Sequence, residues 1–327
     1  MNNPFAIKGA TLKTEVRQTK YRKEEYEYTQ LYYVDDDGTE FTTTAVDEVN
    51  FRQVTNQYRA AHGIPYVDEI IDLRNKYGLS ASKMSRILGF GENQYRLYEE
   101  QEVPSESNGR TLKACMNPVV FEEYVKAARN ELANKEYERA MDVIEREKTK
   151  GVDFMQSRIY NKCTRGKENG YAPQSMVRLH NMLLFFINGI GDVFATKMNK
   201  LLFYADFVAY RMYGYSISGL SYLAAPFGPT PYNWGLIYNV FDDVYNEVVS
   251  FADGIEGTKL MAQNEPDMSV FNRDEQNALE LVRDAFKGLS ASAISKLSHD
   301  EDAWLKNEEL HKTISFDEAF NLKAIPF

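Results

Sequence analysis

KMNKLLFYADFVAYRMYGYSISGLSYLAAPFGPTP, residues 197–231, decides the fold of the second half of the chain. Met198, Leu201, Leu202, Ala205, Val208 and Met212 recur at three- and four-residue steps, which predicts a helix with one continuous apolar stripe. Phe203, Phe207 and Tyr210 repeat the spacing on a second face, so the helix offers water little besides Lys200, Asp206 and Arg211. Such a helix is central, or something else covers it. Gly214 is placed to end it, and Ser221 to Ala225 reads as a short apolar strand. The following Pro226-Phe227-Gly228-Pro229-Thr230-Pro231 is a rigid turn, because each proline fixes its own backbone and restrains the residue before it.

Outward from this stretch the pattern stays helical. Met176, Leu179, Met182, Leu183 and Phe186 form a strong upstream stripe, and Leu279, Val282 and Phe286 form one downstream. Leu236, Ile237, Val240, Val244 and Val248 predict another amphipathic helix, and Gly254 to Pro266 reads as an irregular excursion. Toward the N-terminus the texture changes. Residues from Thr11 to Thr44 are rich in Thr, Tyr and Val, with Asp35-Asp36-Asp37-Gly38 as a turn between strand-like runs. Asp47 to Gly63 reads as a helix. From Val67 to Leu112 the grammar is helix, turn, helix, with Ser80 as an N-cap and Gly89-Phe90-Gly91 leading into a third helix. Residues 117–150 are rich in Ala, Glu, Lys and Arg and predict a weakly amphipathic helical connector.

The chain has 327 residues, enough for about two domains, and a net charge of −10. That balance argues against nonspecific nucleic-acid or membrane binding as the main activity and suits a basic partner. Two cysteines, Cys115 and Cys163, are too few for a disulfide framework, and no apolar run approaches the roughly 20 residues that span a bilayer. A cytoplasmic protein is expected. The four histidines have no metal-ligand spacing, and Cys163 with His180 lacks an orienting motif, so neither an enzyme nor a cofactor is expected. The carboxylates of Asp35 to Asp37 could meet a hard cation, but a solvated turn needs none.

Lys200-Leu201-Leu202-Phe203, Tyr213-Gly214, Ile217-Ser218-Gly219 and Gly228-Pro229-Thr230-Pro231 resemble the signature of the Panacea domain. Leu289-Ser290-Ala291 through Lys296-Leu297-Ser298-His299 and Trp304 resembles the usual C-terminal ending of that domain. The resemblance implies an antitoxin that binds and neutralises a toxin encoded beside it. Residues 67–112 resemble an Xre/Cro-type helix-turn-helix, and the segment before them resembles a zinc-holding module of antitoxin regulators. That module normally carries two C-x-x-C pairs, and here Tyr32 to Phe41 keeps its outline without the cysteines, so no zinc is expected.

The resulting expectation is a mainly α chain with a small N-terminal β region: a β module with helix (1–66), a helix-turn-helix (67–116), a charged connector (117–170) and a mostly helical Panacea-like domain (171–327). For operator DNA, the recognition helix starting near Glu92 would present Asn93, Gln94, Tyr95 and Arg96, with Lys83 and Arg86 along the phosphates. Homodimerisation follows from the paired half-sites such readers engage. For the toxin, the expected contacts are Lys200, Phe203, Tyr204, Asp206, Phe207, Tyr210, Arg211 and Tyr213, the alternative being that the aromatic residues are simply core. Two rival functions stand beside the antitoxin: a ligand-responsive transcription regulator without a toxin, and an adaptor that presents a bound toxin to a protease.

Overall fold

The computed structural model describes residues 5–150, 154–160, 164–251, 256–308 and 312–326. It begins with strands β1 (Ala10–Tyr21), β2 (Glu24–Asp35) and β3 (Glu40–Phe41), followed by helix α1 (Thr44–His62). Six helices follow: α2 (Val67–Tyr77), α3 (Ala81–Ile87), α4 (Gln94–Glu99), α5 (Glu106–Cys115), α6 (Pro118–Ala127) and α7 (Asn134–Lys148). Next come α8 (Phe154–Ile159), α9 (Met176–Ile190), β4 (Val193–Phe194), α10 (Ala195–Tyr213), the pair β5 (Tyr222–Ala225) and β6 (Gly228–Pro231), and α11 (Trp234–Ile237). The chain closes with β7 (Val244–Ser250), β8 (Glu256–Ala262), α12 (Arg273–Phe286), α13 (Ala291–His299) and α14 (Asp302–Leu305). It divides into two compact units, Met1–Val54 with Asp153–Phe327, and Thr55–Val152.

In the larger unit, β1 and β2 form a long antiparallel hairpin whose register runs from Ala10 opposite Asp35 to Tyr21 opposite Glu24. Its two-residue turn places Arg22 and Lys23 at φ 46° and 77°, the conformation that Asn-Gly adopts without steric cost. Beyond the short β3, side chains of α1 close the open edge of β2. Asn50 accepts from Leu31 N at 2.8 Å and donates to Leu31 O at 2.9 Å, and Gln53 treats Thr29 the same way at 3.0 and 2.8 Å. The two amides thus stand in for a neighbouring strand. In the rest of the unit, α10 is packed against α9, α12, α13, β6 and a 3-10 turn at Phe316–Asn321.

The smaller unit starts its helices with local caps. Ser80, the expected N-cap, accepts from Lys83 N, and Ser105 accepts from Asn108 N and Asn117 from Val119 N, starting α3, α5 and α6. Ile70, Leu73, Met84, Leu112, Phe121, Val125 and Ile144 share one buried core. Two expectations need correction here. The charged stretch 117–150, expected as a weakly amphipathic connector, is part of the smaller unit's core, since Phe121, Val125, Ala140 and Ile144 are buried with residues of α2 to α5. The unit boundaries also differ from the expected segments: residues 1–54 group with the C-terminal part, and 117–152 group with the short helices.

A third correction lies at 236–262. Helix α11 has only four residues, and Val244 and Val248 belong to strand β7, paired with β8 inside the expected irregular excursion. Valines four apart fit a helical stripe, but Val-Tyr-Asn-Glu-Val-Val-Ser is β-branched and aromatic, and its exposure on both faces hides the period of two.

Replacing Arg22-Lys23 with Asn-Gly should stabilise the larger unit by about 1 kcal/mol, because the left-handed backbone penalty disappears. Chemical denaturation of the two proteins checks this; equal midpoints would contradict it.

Candidate functional site

Helix α10 is buried along nearly its whole length, including four charged residues: Lys197, Lys200, Asp206 and Arg211. Each reaches a different segment. Lys197 Nζ donates to Leu289 O at 2.6 Å and Lys200 Nζ to Pro229 O at 2.8 Å. Arg211 donates to Ile325 O at 2.6 Å, near the C-terminus. Asp206 gathers the segment after the helix: Ile217 N, Ser218 N, Ser218 Oγ and Tyr222 OH all donate to its carboxylate. Tyr204 OH donates to the buried Glu301, which also accepts from Lys323 N and Ala324 N at 2.7 and 2.9 Å. One helix therefore fixes five separate stretches of chain.

The electrostatics follow from this burial. Lys200 is pushed down to about 7 and Arg211 to about 9, both by loss of water. Burial pushes the Asp206 carboxyl up, and the donors from Ser218, Tyr222 and Ile217 oppose it. Burial likewise raises the Tyr204 and Tyr210 hydroxyls.

The aromatic residues of α10 form one cluster. Phe203 and Phe207 lie 4.3 Å apart, Phe207 stacks on Phe316 at 4.2 Å, and Tyr210 meets Phe316 and Phe320 edge-on. Of the eight expected toxin contacts, Lys200, Phe203, Tyr204, Asp206, Phe207, Tyr210 and Arg211 are at most 2% exposed, and Tyr213 is half-buried. The expected contact face is thus interior, and its residues act by positioning other segments. The alternative reading of the aromatics as core describes their placement.

What they position is the turn between β5 and β6. Ala225 lies opposite Gly228, leaving Pro226-Phe227 as a two-residue loop. Lys200 holds Pro229 O from below, Trp304 Nε1 donates to Ala225 O at 2.8 Å, and Ser295 Oγ donates to Phe227 O at 3.2 Å. Gly228 has φ +92°, and a Cβ there would sit 2.5 Å from Ser298 Oγ. On this pinned turn the Phe227 side chain is 77% exposed. Sequence reasoning identified the turn but gave its one outward aromatic no role; the signal was a Phe between prolines that no helical stripe claims.

A separate cleft of about 730 Å3 lies between the β7–β8 hairpin and the α12–α13 junction, with Phe194, Phe251, Lys197, Lys287 and Ser290 among its walls. His180 Nε2 lies 2.6 Å from Asp243 Oδ1 with its ring on Phe241, and Cys163, once weighed beside it, is outside the described residues.

In the smaller unit the expected DNA contacts separate. Tyr95 is fully buried: its OH donates to Ile70 O at 2.7 Å and its N–H to Ser85 Oγ at 3.0 Å, so it locks α4 against α2 and α3. Asn93 and Arg96 are exposed. Gln94 donates to Glu102, Arg96 lies 3.7 Å from Glu100, Lys83 reaches Glu131 O and Glu136, and Arg86 lies near Glu92 and Glu131. The basic residues are therefore matched with carboxylates.

Residues 198–305 match the family model described as antitoxin SocA-like, Panacea domain. That span covers about a third of the chain and takes in α10 from Met198 onward, the β5–β6 turn and α13. Comparison with curated proteins and with solved structures finds no match. Among the described residues, no helix is long and apolar enough to cross a membrane, and no cluster of three His, Cys, Asp or Glu is arranged to hold a metal.

A lysine depressed from its ordinary value of 10.5 to about 7 binds fewer protons in the folded than in the unfolded state between those limits. Stability should therefore rise with pH across that window and fall as pH drops back toward 7, with a slope of up to about 1.4 kcal/mol per unit. Lys200→Met should flatten the slope between pH 7 and 9 in denaturation curves; an unchanged slope would contradict the assignment. Asp206→Ala strands four buried donors and should cost at least about 3 kcal/mol.

Proposed function

We propose that the chain is the antitoxin of a type II pair, neutralising a cognate protein toxin by direct, stoichiometric binding. The observation that carries this reading is the match of residues 198–305 to a family described as antitoxin. Phe227 is the proposed anchor. A rigid, exposed aromatic loses little side-chain entropy on docking and brings a large apolar area, the properties of an interface hot spot. The net charge of −10 suits a basic partner.

Autorepression through α3 and α4 is the second part of the proposal. Asn93 and Arg96 are open to solvent at the start and middle of the short α4, where an adenine or guanine edge could be read. The neighbouring carboxylates weaken phosphate attraction, so base contacts would carry a large share of the discrimination. The 730 Å3 cleft favours a second reading, a regulator answering to a small ligand, because its size falls in the range of ligand sites.

Co-expression of the full chain with the product of its immediate gene neighbour tests the first part. Growth should be rescued by the parent chain, and Phe227→Ala should weaken neutralisation by roughly tenfold or more while leaving the melting temperature unchanged. A harmless neighbour would favour the ligand-responsive reading; full rescue by Phe227→Ala would remove the turn from the interface. Arg96→Ala should weaken binding to the DNA upstream of the pair by roughly 5- to 150-fold in a gel-shift titration, as expected for loss of about 1 to 3 kcal/mol. Equal binding by both proteins would contradict base reading by Arg96.

A further inference from the structure

The larger unit treats two sheet edges differently. Asn50 and Gln53 close the edge of β2 with their amides, as described above. Strand β7 is an outer strand in the order β4-β8-β7, and among the described residues no element pairs with its other side. Gln263 N donates to Asp243 O at 3.0 Å, and the register places these two residues directly opposite each other. In an antiparallel ladder such hydrogen-bonded pairs alternate, so Tyr245, Glu247 and Val249 exchange backbone bonds with β8. The N–H and C=O groups of Asn246, Val248 and Ser250 point away from the sheet.

Edge strands are ordinarily protected by lysine, proline, a bulge or a covering segment. Val-Tyr-Asn-Glu-Val-Val-Ser has no lysine or proline, and its pairing with β8 runs without a bulge. Val248 is 65% exposed, Tyr245 44% and the adjoining Phe251 46%.

The edge is also complementary to itself. Antiparallel pairing of two copies about Val248 sets Val248 against Val248, Asn246 against Ser250 and Tyr245 against Phe251. Glu247 then faces Val249. A register centred one residue earlier would instead set Glu247 directly against its own copy, which like-charge repulsion disfavours. Phe251 already packs on Phe194 at 5.7 Å, so Tyr245 of the second copy would extend that aromatic row. Lys259, opposite Glu247 on β8, tempers the diagonal approach of the two glutamates.

We infer that the chain forms a two-fold homodimer by antiparallel pairing of the β7 edges about Val248, joining the β4-β8-β7 sheets of two copies into one. Among the described residues, pairing at this edge breaks no β7–β8 hydrogen bond. It also leaves the β5–β6 turn a separate element.

Register-specific crosslinking of the full chain tests this. In this pairing the two Val248 residues form a hydrogen-bonded pair with Cα atoms about 5.5 Å apart, inside the disulfide range. Val248→Cys should therefore give a covalent dimer under mild oxidation, and Glu247→Cys should not; the parent chain controls for Cys115 and Cys163. In sedimentation velocity, Val248→Pro removes an outward N–H that β8 does not use and should weaken association roughly tenfold or more. Val248→Lys should do the same without touching the backbone. A monomer at every concentration, a dimer indifferent to both substitutions, or a Val248→Cys protein that crosslinks only to a different protein would each overturn the inference. Loss of growth rescue by the parent chain would leave it standing, since the dimer does not depend on the toxin.

Discussion

The larger unit depends on charged groups that are buried on one helix and bonded to backbone. Lys197, Lys200 and Arg211 donate to carbonyls of three different segments, and Asp206 accepts two backbone amides and two hydroxyls. A buried charge with no partner costs several kcal/mol, so each segment is held in the one path that supplies its bond. An apolar side chain would pack in many neighbouring arrangements. A buried amine or guanidinium that must donate its N–H accepts few, and in this way the helix specifies the segments around it.

The consequence is a division of labour between interior and surface. The buried residues of α10 are spent on holding the matched span together, and on the β5–β6 turn that they pin, the Phe227 side chain stays outside. Lys200 and Trp304 grip the turn from two sides, so its entropy is lost on folding rather than on docking. The smaller unit follows a different logic. Its helices are too short to stand alone and are stabilised by one shared core, with α6 and α7 completing what α2 to α5 leave open.

Much of this was legible in the sequence, and the reasons differ by element. The stripes on α9, α10 and α12 were readable because long helices repeat their period several times. The caps at Ser80 and Gly214 were readable because their chemistry is local. The first hairpin turn was not, because Arg22-Lys23 lacks the Asn-Gly signature. Strand β7 was not, because its valines fit two periods and both of its faces are exposed. Burial was the hardest property to read. Tyr95 and Tyr204 look like contact residues in a one-dimensional pattern, and only the fold shows that their hydroxyls are committed to Ile70 O and Glu301. The membership of residues 1–54 in the larger unit rests on contacts distant in sequence, such as Arg52 reaching Tyr213 O, which no local pattern encodes.

The central claim is that α10 is an inner scaffold and the β5–β6 turn is the surface it presents. Amide hydrogen exchange of the full chain, alone and with the product of the neighbouring gene, tests it directly. The account predicts that Lys200 to Arg211 exchange only through global opening in both samples, and that new protection appears at the amides of Phe227, Gly228 and Thr230 when the partner is added. New protection on α10 with none at the turn would contradict it.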